Sequence, residues 1–298
     1  MINNFAISTS WNGIRLKNAN AIIEEMLAAG FSNIEVYFKI TQDTLDGISE
    51  YVQKKAITVS SVHNVCPIPE GIRPSEASPD YYSLSSFDIN ERKKAVNLTK
   101  MTIDTANMLK AKAVVLHCGK VDIEDTTRTL IKLYESDELK SEKFKKTRQR
   151  TLLNRAQLAP KHTQELLKSL DEINKYAVKK KISIGIENRF YIKEMPSFSE
   201  IDIILKEFKG SNIYYWHDCG HAQVLENLGI ILHKDLLDNF SKNLLGIHLH
   251  DVKGCQDHLA PLKGNLDFNM LKPYINNSHI KVIEVNGQQS LEAVKNGR

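Results

Sequence analysis

The feature that most constrains this chain is an alternation: short apolar runs of strand length, each followed by a longer stretch of helical period, recurring eight times. The runs lie near residues 4 to 8, 33 to 37, 57 to 63, 113 to 117, 182 to 187, 213 to 218, 244 to 250 and 281 to 285. Between them, residues 18–29, 44–54, 91–109, 163–178, 199–208 and 234–239 carry Leu, Ile, Met and Ala at helical spacing. Repeated β-α units of this kind build parallel sheets, and eight of them favour closure into a barrel over an open sheet. The expected fold is α/β, a single (β/α)8 TIM barrel domain over residues 1–298, a length that one barrel accommodates. In the fifth run Ile182, Ile184 and Ile186 alternate with Ser183, Gly185 and Glu187, so the isoleucines should face the helices and the small residues the crowded interior. Long excursions follow the third and fourth strands, at 64–89 with four prolines and at 119–155 with a charged helical stretch. Both leave from the face where barrel enzymes place their chemistry.

The strand-like runs end in metal-ligand residues. They stop at His63, at His117, at Glu187, at Asp218 with His221, at His248 and His250 with His258 shortly beyond, and at Glu284. Scattered histidines would mostly land on helix faces and loops, so this placement points to one shared site. Imidazoles and carboxylates converging from rigid strand ends suit a divalent ion such as Mn, Zn or Co. Two glutamates on one ion gain a second use as general base and general acid, moving a proton at a carbon beside a carbonyl. Asp218 could instead cap the helix that follows, and His250 could serve as a hydrogen-bonding partner of a ligand rather than a ligand. His217 has the wrong parity for this face and is expected to be structural, while His162, His233 and His279 lie outside the pattern.

Composition narrows the setting. A net charge of +4 is too mild to be a nucleic-acid footprint by itself. No window approaches the ~20 apolar residues of a membrane span, and the first residues lack a leader pattern, so a cytoplasmic protein is expected. The four cysteines, Cys66, Cys118, Cys219 and Cys255, are too dispersed for a disulfide framework and are read as free thiols packed near the site, with ligation the minor alternative. Residues 140–155 hold seven basic side chains, which fit either a solvated helix face or a lid for an anionic substrate.

Four segments together resemble the xylose isomerase-like TIM-barrel superfamily, which joins sugar and sugar-phosphate isomerases and epimerases to endonuclease IV. They are Ile-Gly-Ile-Glu-Asn at 184–188, Asp-Cys-Gly-His-Ala at 218–222, Ile-His-Leu-His-Asp at 247–251 and Asp-His-Leu-Ala-Pro-Leu-Lys-Gly-Asn-Leu-Asp-Phe at 257–268. In the epimerase branch the resemblance implies one Mn, Co or Zn ion held by Glu187, Asp218, His248 and Glu284, with Glu187 and Glu284 also carrying the proton. The endonuclease IV branch holds three zinc ions, and for these the chain can also supply His63, His117, His221 and His258. That branch places an aspartate two residues before the last histidine, where this chain has Gln256 and puts Asp257 next to His258 instead, a departure that counts against a third ion. A stretch usually read as Pro-Gly-Glu-Gly is here Pro261-Leu262-Lys263-Gly264, so this loop should differ in conformation and charge. The wording around Asp218 and His250 is closer to the isomerase branch. The resemblance therefore implies an isomerase or epimerase for a small sugar, sugar phosphate or polyol, without membrane contact and compatible with a homo-oligomer. An endonuclease IV-like zinc phosphodiesterase acting on abasic DNA is the alternative.

Overall fold

The computed structural model of the protein describes residues 5–297. Eight parallel strands close into a barrel: β1 (Phe5–Ser8), β2 (Asn33–Val36), β3 (Thr58–His63), β4 (Ala113–Leu116), β5 (Ser183–Glu187), β6 (Ile213–Asp218), β7 (Leu244–Leu249) and, after the two-stranded hairpin β8 (Asp251–Lys253) and β9 (Gln256–Leu259), β10 (Ile280–Ile283). The ring runs β1-β10-β7-β6-β5-β4-β3-β2. Every expected strand is present, with ends shifted by a residue or two, and the chain folds as the expected (β/α)8 barrel.

Strand parity sorts the core as anticipated. Ile182, Ile184 and Ile186 pack outward in the large helix-facing cluster, while Ala6, Ala113, Val115, Trp216 and Val282 plug the barrel interior. Trp216 explains two glycines. A Cβ on Gly185 would lie 2.8 Å from the indole and one on Gly246 would lie 2.4 Å from it, so only glycine leaves the ring its volume. Two residues beyond the plug on the same inward face come His117, Glu187, Asp218, His248 and Glu284. The strand pleat alone therefore lifts these side chains into one layer at the carboxyl end.

The excursion after β4 differs from expectation in one respect. The charged stretch and the helix expected at 163–178 form one continuous 39-residue helix, Glu142–Lys180, which passes through Pro160. Proline removes one backbone donor, but Pro160 and Ala156, whose carbonyl loses that donor, are both exposed, so water can reach the group and the helix continues. Ser141 caps its start by accepting from the Phe144 amide.

Candidate metal centre

Four strand-end residues meet at one point, with His248 Nδ1 at its centre. It lies 2.9 Å from Glu284 Oε2, 3.2 Å from Glu187 Oε1 and 3.6 Å from Asp218 Oδ2, and all four side chains are buried. The other ring nitrogen, Nε2, is 3.1 Å from Glu35 Oε2, and that oxygen also accepts from Ser61 Oγ at 2.8 Å. A proton on Nε2 donated to Glu35 leaves the Nδ1 lone pair facing three carboxylates, the tautomer a metal-ligating histidine requires. Burial alone would push the His248 pKa down, but Glu284 and Glu35 reverse this and hold it well above the ordinary imidazole value. Burial likewise opposes ionisation of Glu187, Asp218 and Glu284, yet Arg189 and neighbouring histidines hold Glu187, and neighbouring histidines alone hold Asp218 and Glu284, well below the usual carboxylate range.

Two further groups flank the first. His63, His117 and Glu187 form one, and Asp218, His221 and His258 form the other. His117 Nδ1 is 3.0 Å from Asp80 Oδ2, and this bond turns Nε2 toward Glu187 Oε2 at 2.8 Å, where it is buried without an aligned hydrogen bond. Burial and Arg189 lower the His117 pKa, but Asp80 outweighs them and raises it to about 9. Glu187 is thus shared, one oxygen facing His248 and the other His117 and His63. On the opposite flank His221 Nδ1 donates to the Asn188 carbonyl at 3.0 Å, leaving Nε2 free to face Asp257.

Neighbouring residues of a strand point to opposite faces, so Asp257 and His258 should not converge. They do because His258 adopts a left-handed backbone, φ 56°, which breaks the alternation and brings its Nδ1 to 3.1 Å from Asp257 Oδ2. That oxygen is buried and has no hydrogen-bond partner. The departure at Gln256 therefore leaves a carboxylate at the third group. His250 is not in any of the three groups. Its Nε2 is 3.0 Å from Asp218 Oδ1 and its Nδ1 accepts from the His258 amide at 2.9 Å, so it braces two groups at once.

The donor set fits divalent cations. Glu187, Asp218, Glu284 and Asp257 are buried or nearly so, and Arg189 is the one lysine or arginine among the described residues that pairs with any of them. Uncompensated buried carboxylates are costly, so the cluster draws protons onto His117, His248 and His258 where ions would otherwise supply the charge. His117 Nε2 and Asp257 Oδ2, each buried in an ion pair but without an aligned hydrogen bond, leave both flanking groups able to coordinate an ion.

Sequence reading missed Glu35, Asp80 and Arg189. Glu35 carried a signal, a lone carboxylate inside the apolar run Ile34 to Val36. Asp80 had none, being placed by the long loop after β3. Arg189 stands two residues past Glu187, outside the strand-end pattern. Its Nη1 lies 3.1 Å from Glu187 Oε2 and its Nε donates to Glu194 Oε2 at 3.1 Å.

Other expectations resolve cleanly. His217 points away from the site and bonds Tyr215 at 2.7 Å and His233 at 2.9 Å. None of the four cysteines belongs to a ligand group, and all are buried. The basic segment is partly consumed internally: Arg155 forms a buried fork on Glu200, at 2.7 and 2.6 Å, and Arg148 donates to the carbonyls of Leu228 and Gly229. Leu262 takes a left-handed φ of 71°, a conformation that favours glycine.

A parallel barrel with carboxylates and imidazoles gathered at its carboxyl face defines a TIM barrel with a candidate metal site. The chain belongs to the xylose isomerase-like TIM barrel family, whose model matches residues 23–293. No curated protein matches the chain by sequence. Among solved structures it is similar to a D-tagatose 3-epimerase-like protein, with 19% identity, 98% of this chain and 93% of the other covered, and a TM-score of 0.65. A 3-keto-D-glucoside 4-epimerase from E. coli shares 10% identity over 99% and 97% of the two chains, with a TM-score of 0.67. The IOLI protein, solved with a zinc atom, shares 12% identity over 98% and 95%, with a TM-score of 0.67. At these identities the likeness is one of fold. No helix among the described residues is long and apolar enough to cross a membrane.

Proposed function

We propose that the protein is a divalent-metal-dependent isomerase or epimerase acting on a sugar, sugar phosphate or related polyol. The carrying observation is that Glu187 and Glu284, from strands three places apart in the ring, both approach His248 Nδ1, at 3.2 and 2.9 Å. Glu187, Asp218, His248 and Glu284 would hold the ion, Mn, Zn or Co, and a bound ion would polarise an oxygen of the substrate. The two glutamates then stand on either side of a substrate carbon, one accepting its proton and the other returning one. Glu35 and His250 orient ligands, and Tyr37, half-buried beside the site with its pKa raised by desolvation and then by Glu284, remains a neutral phenol. The epimerases of similar fold support this reading.

A second reading, zinc-dependent phosphodiester cleavage of abasic DNA, is favoured by one observation, the two flanking groups that could hold further ions. The internal use of Arg148 and Arg155 weakens the basic surface that DNA would track. Elemental analysis of protein purified without chelators, combined with turnover of candidate sugars in heavy water, separates the two. Deuterium at the carbon beside the carbonyl supports the isomerase. Near three zinc ions per chain, no label, and tight, salt-sensitive cleavage of abasic duplex would overturn it.

A further inference from the structure

Arg189 is only 11% exposed, yet its donors are incompletely used. Nε is spent on Glu194 and one Nη1 hydrogen on Glu187, each at 3.1 Å. Nη1 also lies 3.3 Å from His221 Nδ1, but that nitrogen already donates its proton to the Asn188 carbonyl and cannot accept. Nη2 makes no hydrogen bond among the described residues, and it is not one of the sealed polar atoms, so it keeps access to solvent. A guanidinium offers five N–H groups in a rigid fork, and here three of them find no acceptor in the protein. Two carboxylates clamp the fork in place, so its unused donors are held rigidly beside Glu187 of the metal centre.

We propose that Arg189 receives an anionic group of the substrate, a phosphate or a carboxylate, making the substrate a sugar phosphate or a sugar acid rather than a neutral sugar. This rests on the isomerase reading and narrows it. A lone hydroxyl would take one of the free donors, whereas a phosphate or carboxylate takes two in parallel, as the free edge presents them. The surrounding carboxylates repel an anion, so its approach needs a fixed cation. Arg189 is the one such group touching the ligand set among the described residues.

The test is calorimetric titration of ion-loaded wild type, R189M and R189K with inorganic phosphate and, separately, with acetate, metal content being measured in the same samples. The expected result is about 10- to 100-fold weaker binding in R189M, the loss of one or two charge-assisted hydrogen bonds. R189K should lose about tenfold, because an ammonium keeps the charge without the fork. If R189M does not fold, R189K carries the comparison. Arginine-dependent binding that is tighter for phosphate identifies a sugar phosphate, and tighter for acetate a sugar acid. Unchanged affinity for both anions with ion content intact overturns the assignment and leaves the isomerase reading standing. Wild type that holds no ion would sink that reading instead, while the anion comparison in the ion-free protein would still report on Arg189.

Discussion

Changing Gly220 to alanine should damage both stability and ion binding, against the usual effect of such a change. Gly220 lies in the first turn of the helix Cys219–Asn227, where alanine ordinarily gains about 1 kcal/mol over glycine. Here a Cβ would stand 1.9 Å from His250 Cε1 and 2.4 Å from Nδ1. Carbon contacts settle near 3.5–4.0 Å, so the ring must shift by roughly 1.5 Å or more. His250 is fully buried, stacked at 4.2 Å on His258 and bonded to Asp218 and the His258 amide, so it cannot yield freely. Overpacking at about 1–3 kcal/mol and two weakened hydrogen bonds at about 1 kcal/mol each outweigh the helical gain, leaving a net loss of ~2–4 kcal/mol. Thermal melting should fall by on the order of 5–10 °C. Because Asp218 loses the partner that orients it, ion affinity should drop about 10- to 100-fold in a competition titration. A melting temperature equal to or above wild type, with unchanged ion affinity, would refute the role given to this glycine.

Replacing Glu187 or Glu284 with Gln should reduce turnover by at least about 100-fold with the circular dichroism spectrum unchanged, since the amide keeps the shape but accepts no proton; full activity with normal ion content in both variants would remove them from the mechanism. The ion-free protein should show a pH-dependent melting temperature. His117 is raised to about 9, and His248 and His258 are raised too, so their stabilisation is complete below an imidazole's ordinary 6.5 and fades as pH climbs through 9. Glu187, Asp218 and Glu284 are lowered, so theirs is complete above an ordinary carboxylate value and fades on acidification. His217, His221 and His233 are lowered, the last two to about 4, so they cost stability as pH falls below 6.5; melting should therefore peak near pH 6.5 and decline toward 9 while ion affinity rises over that upper span, and a flat profile between 6 and 9 contradicts this. R155M should cost about 3–5 kcal/mol in a denaturant titration by stranding Glu200 in the interior, with E200Q in the same chain recovering part of the loss; an unaffected midpoint would return Arg155 to the solvated basic surface.

How much was legible in the sequence follows from which constraints are local. The eight strands were legible as short apolar runs, because a parallel strand buried on both faces is apolar along most of its length, and the alternation in the fifth marked its inward face. Glu187, Asp218, His248 and Glu284 were legible for the same reason, standing at strand ends on the inward parity. Pro160 hid the length of the long helix, since whether water reaches the freed carbonyl depends on which face the helix packs. The convergence of Asp257 and His258 required a left-handed φ inside a hairpin that no residue type announces. Glu35, Asp80 and Arg189 came to the centre through barrel closure and loop packing, which set distances between residues far apart in the chain. Hydrophobic period is written residue by residue, whereas the reach of one strand end to another exists only once the ring has closed.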